Sequence, residues 1–349
     1  METLSDKPKK SNRIKSVVAT VGFLIIVYAG LQVYNFLYKP NVPGNLKKEI
    51  ILIPTGSGLD DVIFLLKKDG FIEDETTFRL MAEKMKYRGR PGRFKIKPNW
   101  TNRRLVQHLR GGKQEPVKLV LVNERLPEQV AGKVARFIEP DSLAIIDLLN
   151  NERYLDSIGY TPQLIMTLFI PNTYEFFWNT SPRKFMERMI KENKKFWTKN
   201  NRLEKAKKWK MTKEEVYILA SIVERETNQN KEKKRMAGVY MNRLERGMLL
   251  QADPTLVFAS RDWESRSLAK YKTLDSPYNT YMYKGLPPGP ISMASIPSID
   301  AVLNREKHNY IYFCAAGNES GLHNFAETYN GHLKNIQIYK RNLRKRGLL

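Results

Sequence analysis

The chain has 349 residues, 42% of them hydrophobic, enough for two or three domains around sizeable cores. Cys314 is the one cysteine, so no internal disulfide forms, and the four histidines (His108, His308, His323, His332) lack close metal-ligand spacing. The charge is +24, from 60 basic and 36 acidic residues, which first suggests an anionic partner.

The segment from Ser16 to Tyr38 carries no charge and is long enough to span a bilayer, which takes roughly 20 apolar residues. Lys7, Lys9, Lys10, Arg13 and Lys15 precede it. The positive-inside rule keeps residues 1–15 as a cytoplasmic tail and exports everything after Lys39. An exported domain meets little nucleic acid. The excess charge therefore suits anionic lipid or an acidic envelope polymer, and no nucleic-acid partner is expected.

Asn41-Val42-Pro43-Gly44-Asn45 reads as a linker. A compact unit follows over residues 39–115. Strands are expected at Glu49–Ile53 and Arg93–Ile96. Helices are expected at Leu59–Lys68, at about Thr76–Lys86, and from a Thr101 cap to Gly111-Gly112. This strand–helix–helix–strand–helix order resembles the small LysM-like module of some wall enzymes.

Residues 116–210 read as a connecting region. It has a strand at Val117–Val122 and helices at about Pro127–Phe137 and Asp141–Asn150. An apolar run at Ile165–Ile170 follows, then a basic helical stretch from Pro182. Between Arg183 and Lys213 there are thirteen basic and three acidic residues, read as a solvated face over an apolar underside.

The catalytic region is expected over residues 211–349. Thr212-x-x-Glu215 has the form of a capping box, opening a helix that runs toward Ala220-Ser221-Ile222-Val223-Glu224-Arg225-Glu226-Thr227. At about 100° per residue, Ile218, Ile222, Leu219, Val223, Val216 and Ala220 form an arc about 200° wide. Glu226 falls near its middle, while Glu224 falls outside with Tyr217, Ser221 and Arg225. A carboxyl group on a buried stripe is costly to ionise and suits a general acid. If the helix instead ends at Val223, both glutamates are exposed. Being two apart, they point in different directions and are not a glycosidase pair.

A second helix is expected over about Lys233–Arg246. Asp253-Pro254 reads as a helix cap followed by proline, a structural role that competes with a functional one. Ser276–Tyr281 and Gly285–Ser292 read as loops whose Asn, Tyr and Ser suit a sugar cleft or plain scaffolding. Tyr310–Ala315 reads as a buried strand, and Gly321–Phe325 as a turn into another. There is no G-x-G-x-x-G, P-loop or G-x-S-x-G signature.

Five stretches in this order are similar to the YceG-like, or endolytic murein transglycosylase, family. They are ASIVERET (Ala220–Thr227), VYMNRLERGMLLQADPT (Val239–Thr255), SPYNTY (Ser276–Tyr281), GLPPGPI (Gly285–Ile291) and YIYFCA…GLHNF (Tyr310–Phe325). The chain departs from the family pattern at Met166–Tyr174 and at Met293-Ala294-Ser295. The resemblance implies an α+β fold: a transmembrane helix over 16–38, a LysM-like domain, and a mixed α/β catalytic domain. It implies cleavage of peptidoglycan between N-acetylmuramic acid and N-acetylglucosamine, leaving 1,6-anhydro ends, with no metal and no cofactor. Glu226 maps onto the family's essential glutamate. Gln251, Asp253, Asn279, Tyr281 and His323 are the expected sugar-holding residues. Peptidoglycan strands, the cytoplasmic membrane and wall-synthesis proteins are the expected partners. The alternative is a scaffold protein that grips glycan without cutting it.

Overall fold

The computed structural model describes residues 10–265 and 267–349, with side chains from Lys15 onward. The expected cytoplasmic tail thus lies largely outside the described residues. The chain divides into two compact units. One runs to Pro116 and takes in Phe177–Asn179; the other holds Val117–Phe176 and Thr180–Leu349.

The first unit begins with helix α1 (Lys10–Tyr38). Within it, Lys15–Tyr38 is long and apolar enough to cross a membrane, and its side chains are unburied. Then come β1 (Ile50–Ile53), α2 (Leu59–Lys68), α3 (Glu75–Lys84), β2 (Gly92–Lys95) and α4 (Asn102–Gly111). This is the element order expected from the sequence. The caps explain the helix starts: the side chains of Asp74 and Thr101 accept hydrogen bonds from the backbone N–H groups of Thr77 and Arg104. β1 and β2 pair antiparallel, Ile51 opposite Phe94, and both side chains are fully buried with Leu66, Phe78 and Leu105.

The second unit opens with β3 (Val117–Leu121), α5 (Pro127–Val134), α6 (Ser142–Asn150), α7 (Glu152–Ser157), β4 (Asn172–Phe176), α8 (Pro182–Thr198) and α9 (Arg202–Lys208). Leu119, Val130, Leu149, Phe169 and Phe185 centre one apolar cluster there. Next are α10 (Lys213–Glu226), α11 (Asn230–Glu245), α12 (Asp253–Ser260), α13 (Ile296–Leu303), β5 (Tyr312–Ala315), β6 (His323–Ala326) and α14 (Tyr329–Lys345). Among the described residues every sheet is a two-stranded antiparallel pair: β1–β2, β3–β4 and β5–β6.

α10 runs through the centre of a second apolar cluster, between α11 and α13. Its capping box forms as expected: Thr212 Oγ1 accepts from Glu215 N, and Glu215 Oε2 from Thr212 N. The helix continues to Glu226, so the reading that ends it at Val223 is overturned. It is also buried all the way round from Val216 to Val223, including Tyr217 and Ser221 outside the apolar arc. Both polar side chains are satisfied. Tyr217 donates to Phe169 O and accepts from Ala294 N; Ser221 donates to Ile218 O and accepts from Ile291 N. These bonds dock the proline-rich loop onto the helix that ends in Glu226.

Candidate active site

Glu226 sits at the last residue of α10, half-buried, between two cavities that both touch it. One, of about 350 Å³, is lined by Arg125, Arg225, Phe258, Trp263 and Ile291 among others. The other, of about 370 Å³, is lined by Arg243, Gln251, Tyr281, Phe313, His323 and His332 among others. Asp253 also lines both. The carboxyl of Glu226 thus stands where a polymer running from one cavity into the other would pass.

Its electrostatics follow from burial and three neighbours. Burial pushes the Glu226 carboxyl up to about 7, and the Asp253 carboxylate adds to the rise. The hydroxyl of Tyr240, donated to Oε1 at 2.5 Å, and the charge of Arg243 act the other way. Tyr240 is fully buried in α11, and burial with the adjacent carboxyl holds its own ionisation far above the ordinary range. It therefore stays a neutral donor, leaving Oε2 to carry a proton. Arg243 is held by the carbonyls of Ile311 and Leu250, which ties α11 to the residue leading into β5 and to the turn before α12.

Glu224 occupies a different environment. The hydroxyls of Ser295 and Ser298 and the ammonium of Lys233, 2.9 Å away, all bond its Oε2. Burial alone would raise it, but these three donors outweigh burial and hold it below the usual carboxylate range. Glu224 is thus a structural anion between α10, α11 and α13.

The turn after Glu226 is locked. Thr227 Oγ1 donates to Glu232 Oε1 at 2.6 Å, and the same carboxylate takes both the Nδ1 and the backbone N–H of His323. His323 consequently lines the second cavity while fixing β6 to α11. Gln251 is exposed there, with a left-handed backbone (φ 52°) held by its N–H to Thr280 O. Tyr281 donates to Asp253 Oδ1 at 2.6 Å. Asp253 is not the cap expected of it: the cap is Ala252, with no side-chain bond, and the Asp253 carboxylate, bonded by Tyr281, faces both cavities.

Asn279 is not brought to the cleft. Its side chain is fully buried, donating to the carbonyls of Tyr271, Lys272 and Leu274 and accepting from Tyr281 N. It builds the loop that carries Tyr281. β5 is half-buried rather than buried, because Phe313 and Cys314 form part of the cavity wall. The departures at 166–174 and 293–295 fall on packing. Met166 and Met293 are core residues, and Met293 N donates to Glu124 O.

Sequence reasoning passed over Tyr240, Arg243 and His332. Tyr240 had a legible signal: a polar-tipped ring on the apolar stripe of a helix needs a partner. His332 comes from α14, its ring stacked on Tyr312 with centroids 5.2 Å apart, and burial lowers it, so it is neutral near neutrality. Among the described residues no cluster of His, Cys, Asp and Glu is arranged to hold a metal.

Residues 51–338 match the YceG-like family. A relative from Bacillus subtilis (strain 168), named endolytic murein transglycosylase, is 28% identical over 309 residues, spanning 83% of this chain and 84% of the relative. A protein of the same name from Streptococcus pneumoniae serotype 2 is 26% identical over 356 residues, spanning 92% of this chain and 64% of that one. A crystal structure of a yceG-like protein from Listeria monocytogenes matches with a TM-score of 0.55 and 27% identity, covering 82% of this chain and 97% of that one. The chain therefore belongs to the YceG-like family.

Proposed function

We propose that this chain is a membrane-anchored lytic transglycosylase that cuts peptidoglycan strands between N-acetylmuramic acid and N-acetylglucosamine, with Glu226 as its acid and then its base. The observation that carries this reading is one half-buried carboxyl group at the junction of two cavities, with a neutral tyrosine on one of its oxygens. The names of the relatives support the substrate class.

Protonated Glu226 gives its proton to the glycosidic oxygen as the bond from C1 of the muramic sugar breaks. The resulting carboxylate then takes the proton of that sugar's 6-hydroxyl, whose oxygen bonds to C1. The product is a 1,6-anhydro end, no water is consumed, and Glu226 regains its proton. Arg243 and Tyr240 steady the carboxylate between the two transfers. Gln251, Asp253, Tyr281 and His323 hold the sugar in the second cavity, and Asn279 acts by shaping the loop.

The anchor is the segment 16–38, with the N-terminus in the cytoplasm and the remainder outside. Residues 39–115 serve as a LysM-like glycan module, 116–210 as a connecting region and 211–349 as the catalytic region, acting beside wall-synthesis proteins. A second reading, hydrolysis with Asp253 as base, is favoured by that carboxylate's place in both cavities. It predicts reducing ends.

Digestion of peptidoglycan by the full chain and two variants tests the assignment. Glu226→Gln is expected to abolish new ends, and Glu224→Gln to retain activity in proportion to its folded fraction. Activity surviving in Glu226→Gln would sink the assignment.

A further inference from the structure

The cavity on the Arg125 side holds two cations that the chemistry at Glu226 does not use. Arg125 and Arg225 both line it, and neither is ion-paired among the described residues. Of the nearby carboxylates, Glu124 Oε1 is bonded to Lys133, Glu224 to Lys233, Ser295 and Ser298, and Asp253, which lines the cavity at its Glu226 end, to the Tyr281 hydroxyl; none is ion-paired to either arginine. The cation that steadies Glu226 is Arg243, on the other side.

The two guanidiniums are held in place. That of Arg125 lies over the ring of Trp263, 4.3 Å from its centroid. Stacking fixes the plane of a guanidinium and leaves its edge donors free for a planar acceptor. Arg225 spends one N–H group on Asn123 O, while its Nε is buried without a partner. Burial lowers both arginines, and the charge of Arg125 lowers Arg225 further. Two like charges face one cavity, and an anion there relieves both.

We infer that this cavity is a carboxylate subsite, which recognises the charged peptide side chains carried by the glycan strand. The inference rests on the reading of the substrate as peptidoglycan. A peptide on a muramic sugar bears free carboxylates, and a planar carboxylate matches the guanidinium fork of Arg125. The subsite makes the enzyme selective for strands that still carry their peptides over strands stripped of them.

Binding, rather than turnover, tests this without depending on Glu226 as the acid. The full chain carrying Glu226→Gln, in detergent, is titrated calorimetrically with a peptide-bearing tetrasaccharide. The titration is repeated with the same ligand after its carboxylates are amidated. The free-carboxylate ligand is expected to bind roughly 10- to 100-fold more tightly, the worth of hydrogen bonds to a charged group. Arg125→Gln added to that background should collapse the ratio toward one. Arg125→Lys, which keeps the charge but not the fork, should recover part of it. Should Arg125→Gln lower the melting temperature, Arg125→Lys carries the test, since it must bind the carboxylate ligand more weakly than its parent. Equal affinities for the two ligands, or a ratio unchanged in Arg125→Gln, would overturn the subsite and leave the cleavage reading untouched.

Discussion

Two glutamates two residues apart on one helix meet opposite fates, and the difference lies in their partners. Glu224 has three donors on one oxygen and is held as an anion; Glu226 has one neutral donor and a repelling Asp253. Charge is therefore stable at the first and reluctant at the second. The sign of the pH dependence follows. An acid must be protonated to donate, so kcat/KM should be level below about 7 and fall roughly tenfold per pH unit above it. The Tyr240 hydroxyl lowers the Glu226 carboxyl, so Tyr240→Phe should move the falling limb to higher pH. It should also reduce the maximal rate by roughly ten- to a hundredfold, the worth of a hydrogen bond to a charged group. A pH–rate profile of both proteins checks this. A limb that stays put, or moves to lower pH, contradicts the role given to Tyr240.

Among the elements, α10 joins the site to the core, and its Glu224 knits it to α11 and α13 through Lys233, Ser295 and Ser298. The Lys233 side chain is only 5% exposed, so removing one partner leaves a charge buried and alone. Lys233→Met should cost about 3–5 kcal/mol, and the double change with Glu224→Gln should return much of it. Because Glu224 is lowered in the fold, this contribution is present above the ordinary carboxylate range and is lost as the pH falls through the folded value. Denaturant melts of both single variants and the double variant measure the coupling; strict additivity would show none. Elements with a local chemical mark were legible in the sequence. Thr101 and Thr212 announced their helices, and the apolar run around Ile222 announced a helix that continues to Glu226. The rest lay in tertiary contacts. Tyr217 and Ser221 look like surface residues until the loop bearing Ile291 and Ala294 arrives to bond them. Asp253 looks like a cap until Ala252 takes that place. Asn279 looks like a sugar ligand until the carbonyls of its own loop consume its amide. α13 and α14 went unread. The first is eight residues long, and the second is amphipathic with a basic outer face that resembles a tail.

At the scale of the whole molecule, one apolar segment, a charge of +24 and a cleft with a single reluctant carboxyl bear on where the chain works and on what. If the segment 16–38 anchors it, the chain should float with lipid vesicles even in roughly 1 M salt, where charge attraction is screened within about 3 Å. A variant lacking residues 1–38 should lose flotation at that salt. A variant that still floats would place membrane binding on the basic surface instead. If one carboxyl group serves twice, water never enters the product. Digesting peptidoglycan in water enriched in oxygen-18 and weighing the new muramic ends tests it most directly. The expected ends are one water lighter than reducing ends, with no heavy oxygen incorporated. Reducing ends that carry oxygen-18 would contradict it and give the second role to Asp253.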